Sequence, residues 1–212
     1  MAVPALRRFA PALRRFAQNP SWYRYNQIKM RFLRTLAATI LLILPLGRAD
    51  VRGCSCDISQ PQTMAAEECQ LCRLAETQPA QPQFFFIKDA NPTKPNRWLA
   101  LPRFHGASPQ DLAGMTAAER TGYWTAAIGK ARELWGSQWG VAMNGLERRT
   151  QCHAHIHIGK LLDDAENDRF VVVDSPADIP LPPDGTGVWV HPVGNELHAH
   201  VGDQATEVVL ER

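Results

Sequence analysis

The stretch "CHAHIHIG", Cys152 to Gly159, repeats with a period of two: His153, His155 and His157 alternate with Ala154, Ile156 and Ile158. Successive side chains of an extended chain point to opposite faces. This period therefore selects a strand with one apolar face and one face of imidazoles. Such a strand needs a sheet whose apolar side is covered and whose other side can satisfy three buried rings. Cys152 shares the parity of the apolar residues, so it is expected to turn away from the row that His153 begins.

The chain supplies the partners such a strand needs. "QFFFIKD" (Gln83–Asp89) and "RWLALPR" (Arg97–Arg103) are rich in β-formers and flank the turn "NPTKPN", which predicts an antiparallel hairpin. "WGVAMN" (Trp139–Asn144) reads as a third strand, the histidine stretch as a fourth and "RFVVVD" as a fifth. "GVWVHPVGNELHAHVG" predicts a hairpin turning at Gly194-Asn195, and "ATEVVLER" a last strand. Ser108-Pro109-Gln110-Asp111 reads as a helix start. "EECQLCRLAETQ" reads as a short helix stopped before Pro79 and Pro82. Thr116-Ala117-Ala118-Glu119 has the form of a capping box, followed by Trp124, Ile128, Ala131 and Trp135 at helical spacing and by Gly136 as the stop. The expectation is an α+β domain: an antiparallel sheet packed by one long helix and a short one, with a C-terminal β-hairpin extension.

The N-terminal segment has a different character. "PALRRFA" is written twice, Pro4–Ala10 and Pro11–Ala17, and residues 1–29 read as an upstream extension with no place in the fold. From Met30 the chain looks like an export signal. Arg31 and Arg34 precede the apolar run Leu36–Leu46, and Gly47-Arg48-Ala49 puts small residues where a signal peptidase reads. Residues 30–49 are expected to be a signal peptide or a retained membrane anchor, and residues 50–212 the folded domain. The expected location is the periplasm, free or held at the inner membrane by an uncleaved segment.

Export bears on the five cysteines. In an oxidising compartment four of them form two disulfides. The spacing of Cys54, Cys56, Cys69 and Cys72 also suits a four-thiolate zinc site. Cys152 reads as the odd one out, a buried thiol. Net charge is only +2, and many arginines fall in the first fifty residues. The folded part is therefore not basic, and no nucleic-acid partner is expected.

Three imidazoles in a row admit several uses. At about 3.3 Å per residue, His153 and His157 start roughly 13 Å apart, too far to close easily on one ion with bonds of about 2.0–2.1 Å. No metal and no cofactor are expected there. The row does match the length of a diphosphate with its flanking groups. One ring can attack phosphorus, one can donate to a nonbridging oxygen and one can serve the leaving group. The preceding loop, "NGLERRTQ", offers Asn144, Arg148, Arg149, Thr150 and Gln151 as phosphate donors. A second set, His191, His198 and His200, has no acid or cysteine at ligand spacing and reads as exposed hairpin residues.

Asn144, Arg149-Thr150-Gln151 and His153-x-His155-Ile156-His157-Ile158 together resemble the histidine-triad superfamily, and more closely its CDP-diacylglycerol pyrophosphatase branch. Glu67–Cys69, Ile87–Asp89 and Pro180–Pro183 are similar to further landmarks of that branch, so the likeness spans roughly residues 67–185. Gly159-Lys160 departs from the apolar continuation common in the superfamily. The resemblance implies a histidine-triad-like hydrolase domain that splits CDP-diacylglycerol into CMP and phosphatidate. His155 would be the nucleophile, with His153 and His157 orienting and stabilising. Asn144 and Gln151 would hold phosphate oxygens, with Thr150 and Arg149 beside them. His105 falls near a further histidine of many triad proteins. The implied partners are a liponucleotide or nucleotide substrate, a membrane surface and a second copy of the chain. A different nucleotide substrate, or a non-catalytic metal- or nucleotide-binding protein using the same histidines, remain open alternatives.

Overall fold

The computed structural model describes residues 51–103 and 111–212. The repeated segment, the signal-like segment, His105 and the helix start at Ser108–Gln110 lie outside the described residues. Seven strands form one sheet: β1 (Phe84–Lys88), β2 (Trp98–Pro102), β3 (Trp139–Met143), β4 (Ile156–Lys160), β5 (Val171–Val173), β6 (Val188–Val193) and β7 (Glu196–Val201). Their order is β1-β2-β4-β3-β6-β7-β5, and every neighbouring pair is antiparallel. The described residues hold two α-helices, α1 (Gln70–Glu76) and α2 (Ala117–Trp135). None is long and apolar enough to cross a membrane.

The expected α+β class, an antiparallel sheet packed by one long helix and a short one with a C-terminal hairpin appended, is corrected by this arrangement. The molecule is mostly a seven-stranded antiparallel sheet, and the C-terminal hairpin is no extension. Val141, Ala142 and Met143 of β3 pair with Val190, Trp189 and Val188 of β6, which places the hairpin inside the continuous sheet. The cause is burial on both faces: Val188, Trp189 and Val190 are all buried, as in an interior strand. The predicted last strand is also absent. Thr206–Val209 forms a 3-10 turn, and only Leu210 bridges back, to Leu161.

Parity along the strands divides the sheet into two faces. Ala100, Val141, Ile156, Ile158, Val188, Val190 and Ala199 pack with Tyr123, Trp124 and Ile128 of α2 in the main core. α2 begins where Thr116 accepts the Glu119 N–H at 3.3 Å and Glu119 accepts the Thr116 N–H at 2.7 Å, and it stops at Gly136, φ +60°. Tyr123 donates from its hydroxyl to the Ala100 carbonyl at 2.7 Å, which satisfies its polar end inside the core. Each large side chain buried here contributes about 1.5–3 kcal/mol.

The opposite face carries the histidines. Cross-strand pairing sets Leu99, His157, Ala142, Trp189 and His200 in a row across β2, β4, β3, β6 and β7. Only His157 of the first three lies within β4; His153 and His155 sit in the chain that leads into it. Gly140 and Gly159 face each other in the ladder. A Cβ on Gly140 would lie 2.5 Å from Cδ2 of Leu210, so the glycine leaves a seat for the C-terminal segment.

Two disulfides anchor the first described residues, Cys54–Cys152 and Cys56–Cys69. This corrects the reading of Cys152 as the odd thiol and replaces the four-thiolate zinc alternative. Cys152 precedes β4 at a bend, and its N–H donates to the Glu68 carbonyl at 2.8 Å, so its side chain meets the N-terminal segment. Cys72 is the free thiol, buried, and burial pushes it up to about 11. A bridge between residues 98 apart removes much freedom from the unfolded chain. The double substitution Cys54→Ser/Cys152→Ser is expected to lower unfolding free energy by about 3–5 kcal/mol, read from denaturant midpoints. An unchanged midpoint would count against this bridge.

Candidate functional site

His153 and His155 are fixed by backbone carbonyls. His153 donates from Nε2 to the Pro102 carbonyl at 2.7 Å, and His155 donates from Nδ1 to the His153 carbonyl at 2.8 Å. A carbonyl oxygen can only accept, so each contact assigns the proton. For His155 this leaves the lone pair on Nε2. Burial, reinforced by His157 and Arg149, pushes the His155 imidazolium down to about 3, so the ring is neutral at neutral pH.

The His157 ring meets that of His155 edge-on, with centroids 5.0 Å apart. It is 6% exposed, yet neither ring nitrogen has a hydrogen-bond partner among the described residues. Its Nδ1 lies 3.5 Å from a Glu207 oxygen and 4.0 Å from Asp89. Burial lowers His157 to about 4; Glu207 opposes the shift, and Lys94 and Arg97 add to it. A neutral ring here carries one N–H not committed to protein.

Glu207 is the residue the sequence reading missed. Lys94 reaches its carboxylate at 2.5 Å, Arg97 at 3.1 Å and the Asn144 amide at 3.1 Å. Burial would raise the Glu207 carboxyl, but His157, Lys94 and Asn144 outweigh it and hold it at about 2. Nothing near Glu207 in the chain signals this role. Asn144, Arg97 and Lys94 lie 63 to 113 residues away, and it sits in the segment expected to be a strand.

Pocket geometry brings part of the predicted set together. A pocket of about 300 Å³ is lined by His155, His157, Asn144, Arg149, Thr150 and Gln151, with Lys94, Asp89 and Glu207. His153 stands behind it, fully buried, and is not a lining residue. The Asn144 amide is held by the C-terminal segment. Its oxygen accepts from the Glu207 N–H at 3.0 Å and the Thr206 hydroxyl at 3.3 Å. Gln151 is likewise engaged, donating to the Glu67 carbonyl at 3.0 Å and accepting from the Leu71 N–H at 3.1 Å. Arg149 is buried, with Nη2 3.4 Å from the Cys152 carbonyl, and burial lowers it to about 10. Arg148 and Thr150 are exposed at the rim.

No protein-family model matches the chain, and no curated protein matches it.

Two buried rings with lowered values make stability depend on pH. Below the ordinary imidazole value of 6.5 the unfolded chain takes up protons that His155 and His157 in the folded state refuse until about pH 3 and 4. Stability should therefore fall as pH drops from 6.5. Between pH 6.5 and 5, above most carboxylate titration, His155→Gln/His157→Gln should flatten the slope of unfolding free energy against pH. Equal slopes for wild type and variant would show that the rings are charged in the folded state.

Proposed function

We propose that the chain is an exported phosphoanhydride hydrolase that acts through a nucleotidyl-histidine intermediate, with CDP-diacylglycerol as substrate and CMP and phosphatidate as products. The observation that carries the reading is the His155 tautomer: Nδ1–H is committed to the His153 carbonyl, so a neutral ring keeps its lone pair on Nε2. That is the state a nucleophilic imidazole requires. The resemblance of the histidine row to the CDP-diacylglycerol pyrophosphatase branch selects the substrate.

In the first step Nε2 attacks the phosphorus bearing the nucleoside. The P–N bond forms, the bridging P–O bond breaks, and its electron pair leaves with phosphatidate. The positive charge left on the ring is shared with the Nδ1–H that faces the His153 carbonyl. His157 offers its N–H to a phosphate oxygen, and the neighbouring cations Lys94, Arg148 and Arg149 offset the charge on the two phosphates. In the second step water attacks phosphorus, the P–N pair returns to Nε2, CMP leaves, and a proton goes to solvent.

The two disulfides support an oxidising compartment, which accords with export to the periplasm and a mature chain starting near Asp50. The membrane there supplies a liponucleotide. A pocket of about 300 Å³ suits the diphosphate and leaves acyl chains outside.

Turnover of CDP-diacylglycerol in detergent micelles, compared with a soluble dinucleotide, tests the substrate. His155→Ala should lower kcat by a factor on the order of 10³ or more. Rapid quench of wild type followed by mass spectrometry should find CMP on the peptide that carries His155. Full turnover by His155→Ala would overturn the nucleophile, and preference for the dinucleotide would overturn the lipid.

A further inference from the structure

The same sheet face carries a second group of rings, two and three strands away from β4. His191 of β6 faces His198 of β7, and Trp189 faces His200. At about 4.8 Å per strand, the His200 backbone lies roughly 14 Å from that of His157. The hairpin histidines are not the exposed residues expected from the sequence: His191 is 3% exposed and His200 2%. The acid that no local spacing revealed arrives from the β4–β5 connection. Glu166 places one carboxylate oxygen 2.6 Å from Nε2 of His191, and the other 3.2 Å from Nδ1 of His198 and 3.5 Å from Nε2 of His200. Trp189 stacks on His200 with centroids 3.6 Å apart, and Phe170 stacks on His198 at 3.9 Å.

A hydrogen bond accounts for part of this cluster. The His198–Glu166 contact has hydrogen-bond geometry. The shortest contact in the cluster is between the buried Nε2 of His191 and the carboxylate, 2.6 Å apart, and Nε2 of His200 has no hydrogen-bond partner among the described residues. At 2.6 Å the His191 nitrogen and the Glu166 oxygen stand closer than two ligands of one ion, so the carboxylate must swing outward to admit one.

Ligand atoms around a tetrahedral zinc ion, with bonds of about 2.0–2.2 Å, stand roughly 3.3–3.6 Å apart. The donor atoms of Glu166, His191 and His198 all lie within 4.8 Å of one another. Glu166 is exposed, so its side chain can turn to close the set. We propose that Glu166, His191 and His198 form a site for one divalent transition-metal ion of the zinc type, with His200 as a positioning residue behind the carboxylate. Two imidazoles and a carboxylate suit zinc and disfavour magnesium and calcium, which take oxygen ligands. The ion ties the β4–β5 connection to the β6–β7 hairpin. This site is independent of the chemistry at His155.

The test uses the full chain without an affinity tag, stripped by chelator, dialysed and reloaded with Zn²⁺ or Co²⁺ alone. The expected result is one Zn²⁺ per folded chain, a rise in melting temperature on loading, and visible Co²⁺ bands without sulfur-to-metal charge transfer. Glu166→Gln, on the exposed side, should weaken binding by about tenfold or more, and Glu166→Gln/His198→Gln should abolish it. Cys72→Ser and His155→Ala should each keep the ion, which separates this site from the free thiol and from the proposed nucleophile. Folded wild type that retains no Zn²⁺, or a folded double variant that retains one per chain, overturns the proposal.

Discussion

The guanidinium of Arg97 lies between the sheet and the C-terminal segment, 2% exposed, and donates to the carbonyls of Glu211, Leu210 and Glu207. Its remaining partner is the Glu207 carboxylate. A buried cation costs several kcal/mol unless its donors are met, and here each arm of the fork finds an oxygen. The segment can reach these donors because Gly140 leaves space for Leu210. Once seated, it carries Glu207 to His157 and Lys94 and supplies the partners of Asn144. The pocket is thus assembled by contacts more than a hundred residues apart in the chain.

What could be read from the sequence was what is encoded locally. The alternation of His153, His155 and His157 with Ala154, Ile156 and Ile158 assigns the two faces without any distant partner, and the apolar residues do pack in the main core. The Thr116–Glu119 cap is also local. Strand order was not legible, so a hairpin that reads as an appendage joined the centre of the sheet. The unbroken run Val188-Trp189-Val190 was the available signal, since it marks a strand buried on both faces. The β-branched composition of "ATEVVLER" suggested a strand. Pairing with Arg97 and Asn144 instead turns Thr206–Val209 and leaves Val208 66% exposed. Cysteine pairing is set by which segments meet, and no spacing reveals that Cys54 reaches Cys152.

Two groups of three histidines share one sheet face and differ in their partners. In the first, main-chain carbonyls accept from His153 and His155, and the pocket in front holds Lys94, Arg148 and Arg149 against the carboxylates of Asp89 and Glu207, one more cation than anion. That environment favours an anionic substrate against a neutral ring. In the second, a carboxylate points into the rings and aromatic side chains cover them. That environment favours a cation. Asn144, expected to hold a phosphate oxygen, is instead bound to the segment that positions Glu207.

Nucleophilic attack from Nε2 requires His155 to be a neutral Nδ1–H tautomer. Nitrogen NMR of protein labelled in its imidazole rings reads this directly. The His155 resonances should show a protonated Nδ1 and an unprotonated Nε2, unchanged from pH 7 to pH 5, as expected for a ring lowered to about 3. An imidazolium at pH 6, or a proton on Nε2 with Nδ1 bare, would contradict it.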